Sequence, residues 1–104
     1  MSEIKIIIVD DHTLFRVGLK SVINERMPNV SILAEYSSGK EFLVHLENNT
    51  KPDLILLDII MSEISGIEIA KVVKKYFSDI KILVISSEVT TKTITELLDI
   101  GVNG

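Results

Sequence analysis

Three aspartates and a pair of serines stand at the ends of apolar runs in this 104-residue chain. Asp10 and Asp11 follow "IIIV", Asp58 follows "LILL", and Ser86 and Ser87 follow "ILVI". Carboxylates hold hard cations and attack phosphorus, and a hydroxyl can steady the charge that such an attack develops. If the runs are neighbouring strands, the carboxylates also repel. A pair ~5 Å apart at an effective dielectric of ~20 costs on the order of 3 kcal/mol, which matters to a domain stable by roughly 5–15 kcal/mol. Raised pKa values or a bound cation relieve that repulsion, and a hard divalent ion is the economical solution. Mg²⁺ takes one or two carboxylates directly, keeps several waters and completes its shell with phosphate oxygens, so it would gather a phosphoryl donor here. Asp58, standing alone, is the better nucleophile, and the pair Asp10 and Asp11 the better metal holder.

Something must bring these residues to one rim. Four runs rich in Ile, Leu and Val recur at Ile4 to Val9, Val30 to Ala34, Leu54 to Leu57 and Ile82 to Ile85. Three are nearly continuous, which suits strands covered on both faces in a parallel sheet. Between them lie helical spacings: Phe15, Leu19, Val22 and Ile23; Phe42, Leu43 and Leu46; Ile67, Ala70, Val73 and Phe77; Ile94, Leu97 and Leu98. Pro28 closes the first helix, "SGKE" at Ser38 to Glu41 has the form of a capping box, and Gly101 stands where a C-cap glycine belongs. Strand and helix alternating four times argue for one domain, residues 1–104, with an open α/β sheet. Ligands of such sheets bind outside the carboxyl ends of the strands, where strand order reverses. The aspartates and serines all sit at carboxyl ends.

Composition narrows the function classes. The chain is 46% hydrophobic with mean hydropathy +0.36, enough to bury one core without disulfides or a structural metal. Eleven Lys and Arg against 15 Asp and Glu give a net charge of −4, which offers no basic field for nucleic acid through this segment. Without Cys there is no thiolate zinc site or disulfide framework. The longest apolar runs are too short to span a bilayer, and Met1 opens on "SEIK" without a signal pattern. The expectation is a soluble cytoplasmic chain.

"VDDH" after the first run, "LLDIIM" after the third, Gly66 at the start of the third helix and "VISS" after the fourth resemble, in order and spacing, the receiver domain of two-component response regulators. "DDHTLFRVGL" is similar to the NarL/FixJ (LuxR-type) subfamily, whose receivers precede a helix-turn-helix DNA-binding domain. The resemblance implies a flavodoxin-like, doubly wound parallel sheet of order 2-1-3-4. It implies Asp58 as phosphoacceptor, Asp11 as direct Mg²⁺ ligand, Asp10 as second acidic residue of the metal site, Ile60 as donor of a backbone carbonyl, and Ser86 as the hydroxyl that follows the phosphoryl group. The implied partner is a sensor histidine kinase, with a homodimer also expected and no membrane. The receiver would be a signalling module rather than an enzyme, apart from its self-catalysed aspartyl phosphorylation and dephosphorylation.

Two departures stand out. Ser62 replaces the Pro that usually follows Met in this family, freeing a backbone φ. The sequence stops at "GVNG", ahead of the fifth strand with its lysine and aromatic residue and of the fifth helix, so it reads as a receiver cut short. The fourth strand then becomes an edge that invites pairing with another chain. A receiver-like module that binds partners without being phosphorylated is the alternative, and phosphoryl uptake separates the two.

Plainer readings compete at single residues. Asp10 or Asp11 could simply cap the first helix, Asp58 could be a turn residue, and Ser86 could satisfy local backbone. An aspartate-nucleophile phosphatase would need its first two carboxylates separated by one residue, where His12 stands instead, and "DDHTLF" would repel a flavin phosphate. His12 is disfavoured as metal ligand or phosphohistidine, because Mg²⁺ prefers oxygen and the donor histidine belongs to the partner. His45 reads as solvated, and Lys71, Lys74 and Lys75 as a solvated basic face.

Overall fold

A computed structural model describes residues 3–61, 64–86 and 90–104; Ser62 and Ser87 therefore lie outside the described residues. The elements alternate as the sequence suggests: β1 (Ile4–Val9), α1 (Thr13–Arg26), β2 (Val30–Tyr36), α2 (Gly39–Asn48), β3 (Leu54–Asp58), α3 (Gly66–Tyr76), β4 (Lys81–Ile85) and α4 (Thr91–Ile100). All strand pairings are parallel and the order is β2-β1-β3-β4. The chain leaves β1 for β2 on one side and returns to β3 on the other, so strand order reverses between β1 and β3. That crevice is where a doubly wound sheet takes its ligand.

The continuous apolar runs are explained by burial on two faces. Ile7, Val9, Ile55, Leu57 and Ile82 point to one side, where they pack with Phe42 and Leu46 of α2, Ile69, Ala70 and Val73 of α3 and Leu97 of α4. Ile6, Ile8 and Leu56 point to the other, against Ile23 and Leu19 of α1. In β2 one extra residue, Leu33, slips the register between Ile6 and Ile7, a bulge that twists this edge strand away from stray pairing. Helix ends follow local chemistry: Ser38, Ser65 and Thr90 side chains accept the N–H of Glu41, Glu68 and Thr93. Gly101 closes α4 at φ +101°, in the left-handed region that favours glycine.

Several side chains depart from the sequence reading. On α1, Phe15 and Val22 are 44% and 51% exposed, because α1 stands alone on its face among the described residues. On α4, Ile94 and Leu98 face outward; Leu97 and Ile100 form the packing stripe, three residues apart along the helix. His45 is half-buried rather than free in solvent, with the Tyr36 hydroxyl and the Thr50 carbonyl at its two ring nitrogens. Lys74 is structural, donating to the Ile80 carbonyl and to Asn103 Oδ1, both at 2.9 Å. The same Asn103 holds the outer side of β4. Its Oδ1 accepts from Ile82 N (3.0 Å), its N–H donates to Ile82 O (2.9 Å), and Val84 N donates to Gly104 O (2.9 Å). Over Ile82 to Val84 the edge of β4 is thus paired within the chain rather than bare.

Candidate functional site

Asp10 leaves β1 with its N–H donated to Tyr36 O (3.0 Å), which ties the start of the loop to the end of β2. It is buried at 3% exposure, and Asp58, the last residue of β3, is buried at 6%. Asp11 is half-buried. Because β1 and β3 are hydrogen-bonded neighbours with Val9 opposite Leu57, the residues that follow them meet at the switch point. One carboxylate oxygen from each of Asp10, Asp11 and Asp58, together with a ring nitrogen of His12, all lie within 4.8 Å of one another. Asp58 Oδ1 accepts the N–H of Ile60 at 3.1 Å, which fixes the loop beyond the strand while the Ile60 side chain turns out to the rim.

Gly66 sets how tightly α3 closes on this strand end. Its N–H donates to Ile59 O at 2.8 Å, and a Cβ there would stand 2.4 Å from Asp58 O and 2.5 Å from Ile59 Cα. The glycine is needed for close approach of two backbones, not for a special φ. Ser86, half-buried just beyond β4, lines a cleft of about 440 Å³ together with Asp10, His12, Leu14, Phe15, Asp58 and Ile60. The sequence-predicted residues Asp10, Asp11 and Asp58 are brought together, and Ser86 and Ile60 border the same cleft.

His12 is the residue that sequence reasoning set aside. It is the N-cap of α1, so neither Asp10 nor Asp11 occupies that position, and its side chain makes no capping hydrogen bond. Instead Asp10 Oδ1 accepts both the His12 backbone N–H (2.7 Å) and ring Nδ1 (2.8 Å). Nδ1 also stands 3.3 Å from Asp11 Oδ1 and 3.2 Å from Asp58 Oδ2. The signal available in the sequence was adjacency: an imidazole directly after a carboxylate pair is within reach of whatever that pair binds.

The electrostatics follow from burial and crowding. Loss of water pushes the Asp58 carboxyl above its ordinary value; the Ile60 N–H pulls it back, and Asp10 pushes it further up. The His12 imidazole is raised, first by its hydrogen bond to Asp10 and then by that residue's charge. The donor set suits a small hard cation: three carboxylates, two of them buried, supply oxygen ligands at a point open to water through the cleft. Asp10, Asp11 and Asp58 are the side chains that would hold it. Among the described residues no helix is long and apolar enough to cross a membrane.

Comparison with known proteins agrees with the geometry. Residues 6–104 match the response regulator receiver domain family. The response regulator protein VraR of Staphylococcus aureus is 35% identical over 100 residues, which are 96% of this chain and 47% of VraR. The chain thus spans about half the length of the curated relatives it matches. Among solved structures, the isolated receiver domain of RcsB from Salmonella enterica serovar Typhimurium, in the presence of the phosphomimetic BeF₃⁻, superposes with TM-score 0.88 at 20% identity, covering 97% of this chain and 74% of that one. A LuxR-family two-component response regulator from Aurantimonas sp. SI85-9A1 gives 0.85 at 25% identity, covering 97% and 71%. With four parallel strands in the order β2-β1-β3-β4 and a match to all but the first five residues, the chain belongs to the response regulator receiver domain family.

Proposed function

We propose that Asp58 takes up a phosphoryl group from the phosphohistidine of a sensor histidine kinase, within a single receiver unit of residues 1–104. The observation that carries this reading is the convergence of Asp10, Asp11 and Asp58 on one point, with Asp58 buried at the end of a central strand. Mg²⁺, held by Asp10, Asp11 and Asp58 with the Ile60 carbonyl, would supply charge neutralisation for the phosphate oxygens. An Asp58 carboxylate oxygen attacks phosphorus as the donor's P–N bond breaks, leaving an acyl phosphate on Asp58 and a histidine nitrogen that regains a proton. The Ile60 N–H holds one carboxylate oxygen and so orients the other towards the cleft. Ser86, which lines the same cleft, would donate to a phosphoryl oxygen. Hydrolysis is the same displacement with water as nucleophile and the carboxylate as leaving group.

The intact protein would act in the cytoplasm as a signalling switch, with phosphorylation altering self-association and the activity of a DNA-binding output domain. Support for the latter is by likeness alone: RcsB, whose receiver shares this fold, has been solved bound to the promoter rprA. Incubation with acetyl phosphate, with and without Mg²⁺, followed by intact mass tests the central claim. The expected result is a gain of one phosphoryl group that needs Mg²⁺ and is lost in Asp58→Asn. Uptake undiminished in Asp58→Asn overturns the assignment, and no uptake in any form favours a module that only binds partners.

A further inference from the structure

We propose that the His12 side chain is a gate for the cation site, contesting with Mg²⁺ the point on which the three carboxylates converge. This rests on the reading of that cluster as a metal and phosphoryl site. His12 Nδ1 lies 2.8, 3.3 and 3.2 Å from oxygens of Asp10, Asp11 and Asp58. A cation held by these side chains would need the space around which their oxygens converge, and Nδ1 already stands against one oxygen of each. The imidazole and the ion do not fit there together unless the ring itself becomes a ligand, and Mg²⁺ selects oxygen over nitrogen.

The ring is free to yield. Its side chain is 64% exposed, and no capping bond ties it to the helix it precedes. What it would give up is a set of hydrogen bonds to carboxylates, whereas its backbone N–H can stay on Asp10 Oδ1 throughout. The imidazole would therefore leave the carboxylates when a cation is held there, turning towards the rim formed by Leu14 and Phe15. His12 is a positioning residue in this scheme, acting on the reaction through the metal rather than touching the phosphoryl group.

Mg²⁺ affinity measured by calorimetry on this chain, on His12→Ala and on His12→Gln provides the test. Exposed ion pairs are worth little, so the expected gain on removing the competitor is about two- to fivefold tighter binding in His12→Ala. His12→Gln, which keeps a donor of similar reach, should fall between. In the wild type, the His12 ring resonances should move towards those of a solvated imidazole as Mg²⁺ is added. Equal affinities with unmoved ring resonances overturn the gate. Weaker Mg²⁺ binding in His12→Ala also overturns it, making His12 a ligand. If wild type neither binds Mg²⁺ nor gains phosphoryl from acetyl phosphate, the gate falls together with the proposed function. If Asp58 is phosphorylated normally while the affinities match, the gate alone falls.

Discussion

Asp53 and Asp58 flank the same strand, β3, one before its first residue and one at its last, yet their surroundings differ in almost every respect. Asp53 is exposed, and its carboxylate accepts the Lys5 N–H at 2.8 Å. Its own N–H donates to Lys5 O at 2.7 Å, and its carbonyl accepts the Lys81 N–H at 3.1 Å. It stitches β1, β3 and β4 together at the amino end of the sheet. Asp58 is buried, shares its space with two more carboxylates, and has its proton affinity raised by that burial. Asp53 is satisfied by backbone and knits the sheet; Asp58, crowded by two further carboxylates, is the one that the proposed function assigns to a cation and a phosphoryl group. The parallel sheet makes the distinction, since its carboxyl edge gathers residues from β1, β3 and β4 around the crevice where strand order reverses.

The sharpest way to break this contrast is phosphoryl uptake. Asp58→Asn should abolish it, whereas Asp53→Asn, at the far end of the strand, should leave it unchanged. A comparable loss in both would mean that the two ends are not separate in function.

The next largest effect concerns the backbone approach that shapes the Asp58 end. Gly66→Ala puts a methyl group 2.4 Å from Asp58 O, backbone that has nowhere to go, and should cost about 1–3 kcal/mol in denaturant unfolding. Gly39→Ala is the control. Its Cβ would meet the tip of the buried Ile69 side chain at 2.4 Å, a side chain that can repack where backbone cannot, so the loss should be smaller than at Gly66. Equal losses would show that the α3 contact is not special.

At the other end, Asp53→Ala leaves the Lys5 N–H without its side-chain acceptor. Because that group is exposed, water replaces much of the bond and about 0.5–1.5 kcal/mol should be lost. Phosphoryl uptake should not follow.

How much of this was legible beforehand depends on whether a residue's partner lies nearby in sequence. The bounds of β1 and the caps at Ser38 and Gly101 could be read because strand runs and helix termini are local chemistry. The sheet order was implied by the family resemblance, and once β1 and β3 are neighbours the meeting of Asp10, Asp11 and Asp58 follows from their places at the strand ends. β2 runs on to Tyr36, past the expected Ala34, for reasons no local pattern shows. Arg16 and Lys20 of α1 pair with Glu35, and the Tyr36 ring packs against Phe42 and His45. The outward turn of Phe15, Val22, Ile94 and Leu98 was hidden for a similar reason. Helical spacing marks an apolar stripe but not what, if anything, covers its flanks. His12 escaped because its type argued against Mg²⁺ ligation, whereas its position, contacting all three carboxylates, is set by the loop between β1 and α1.

The smallest expected effect is also the most direct measure of how the two ends of β3 differ. Asp58 has its folded pKa raised, chiefly by burial, above an ordinary value of 3.8. A carboxyl raised in this way binds its proton more readily in the folded protein, so it adds to stability below pH 3.8, and that contribution is lost as pH rises through the raised folded value. Asparagine does not titrate. The stability of wild type relative to Asp58→Asn, measured by urea unfolding in metal-free buffer, should therefore fall across that window. His12 faces a charged carboxylate only in the wild type, so the same pair is also compared in a His12→Gln background. Saturating Mg²⁺ should reverse the order at neutral pH, because it stabilises the ionised carboxylate that the variant lacks. Asp53→Asn, whose carboxylate faces backbone N–H and water, should show no comparable gain without metal and no special response to it. A wild type that gains stability relative to Asp58→Asn as pH rises through the same window would mean that the Ile60 N–H and His12 outweigh burial at Asp58, and that the crowding of the carboxyl end is already relieved by the protein's own groups.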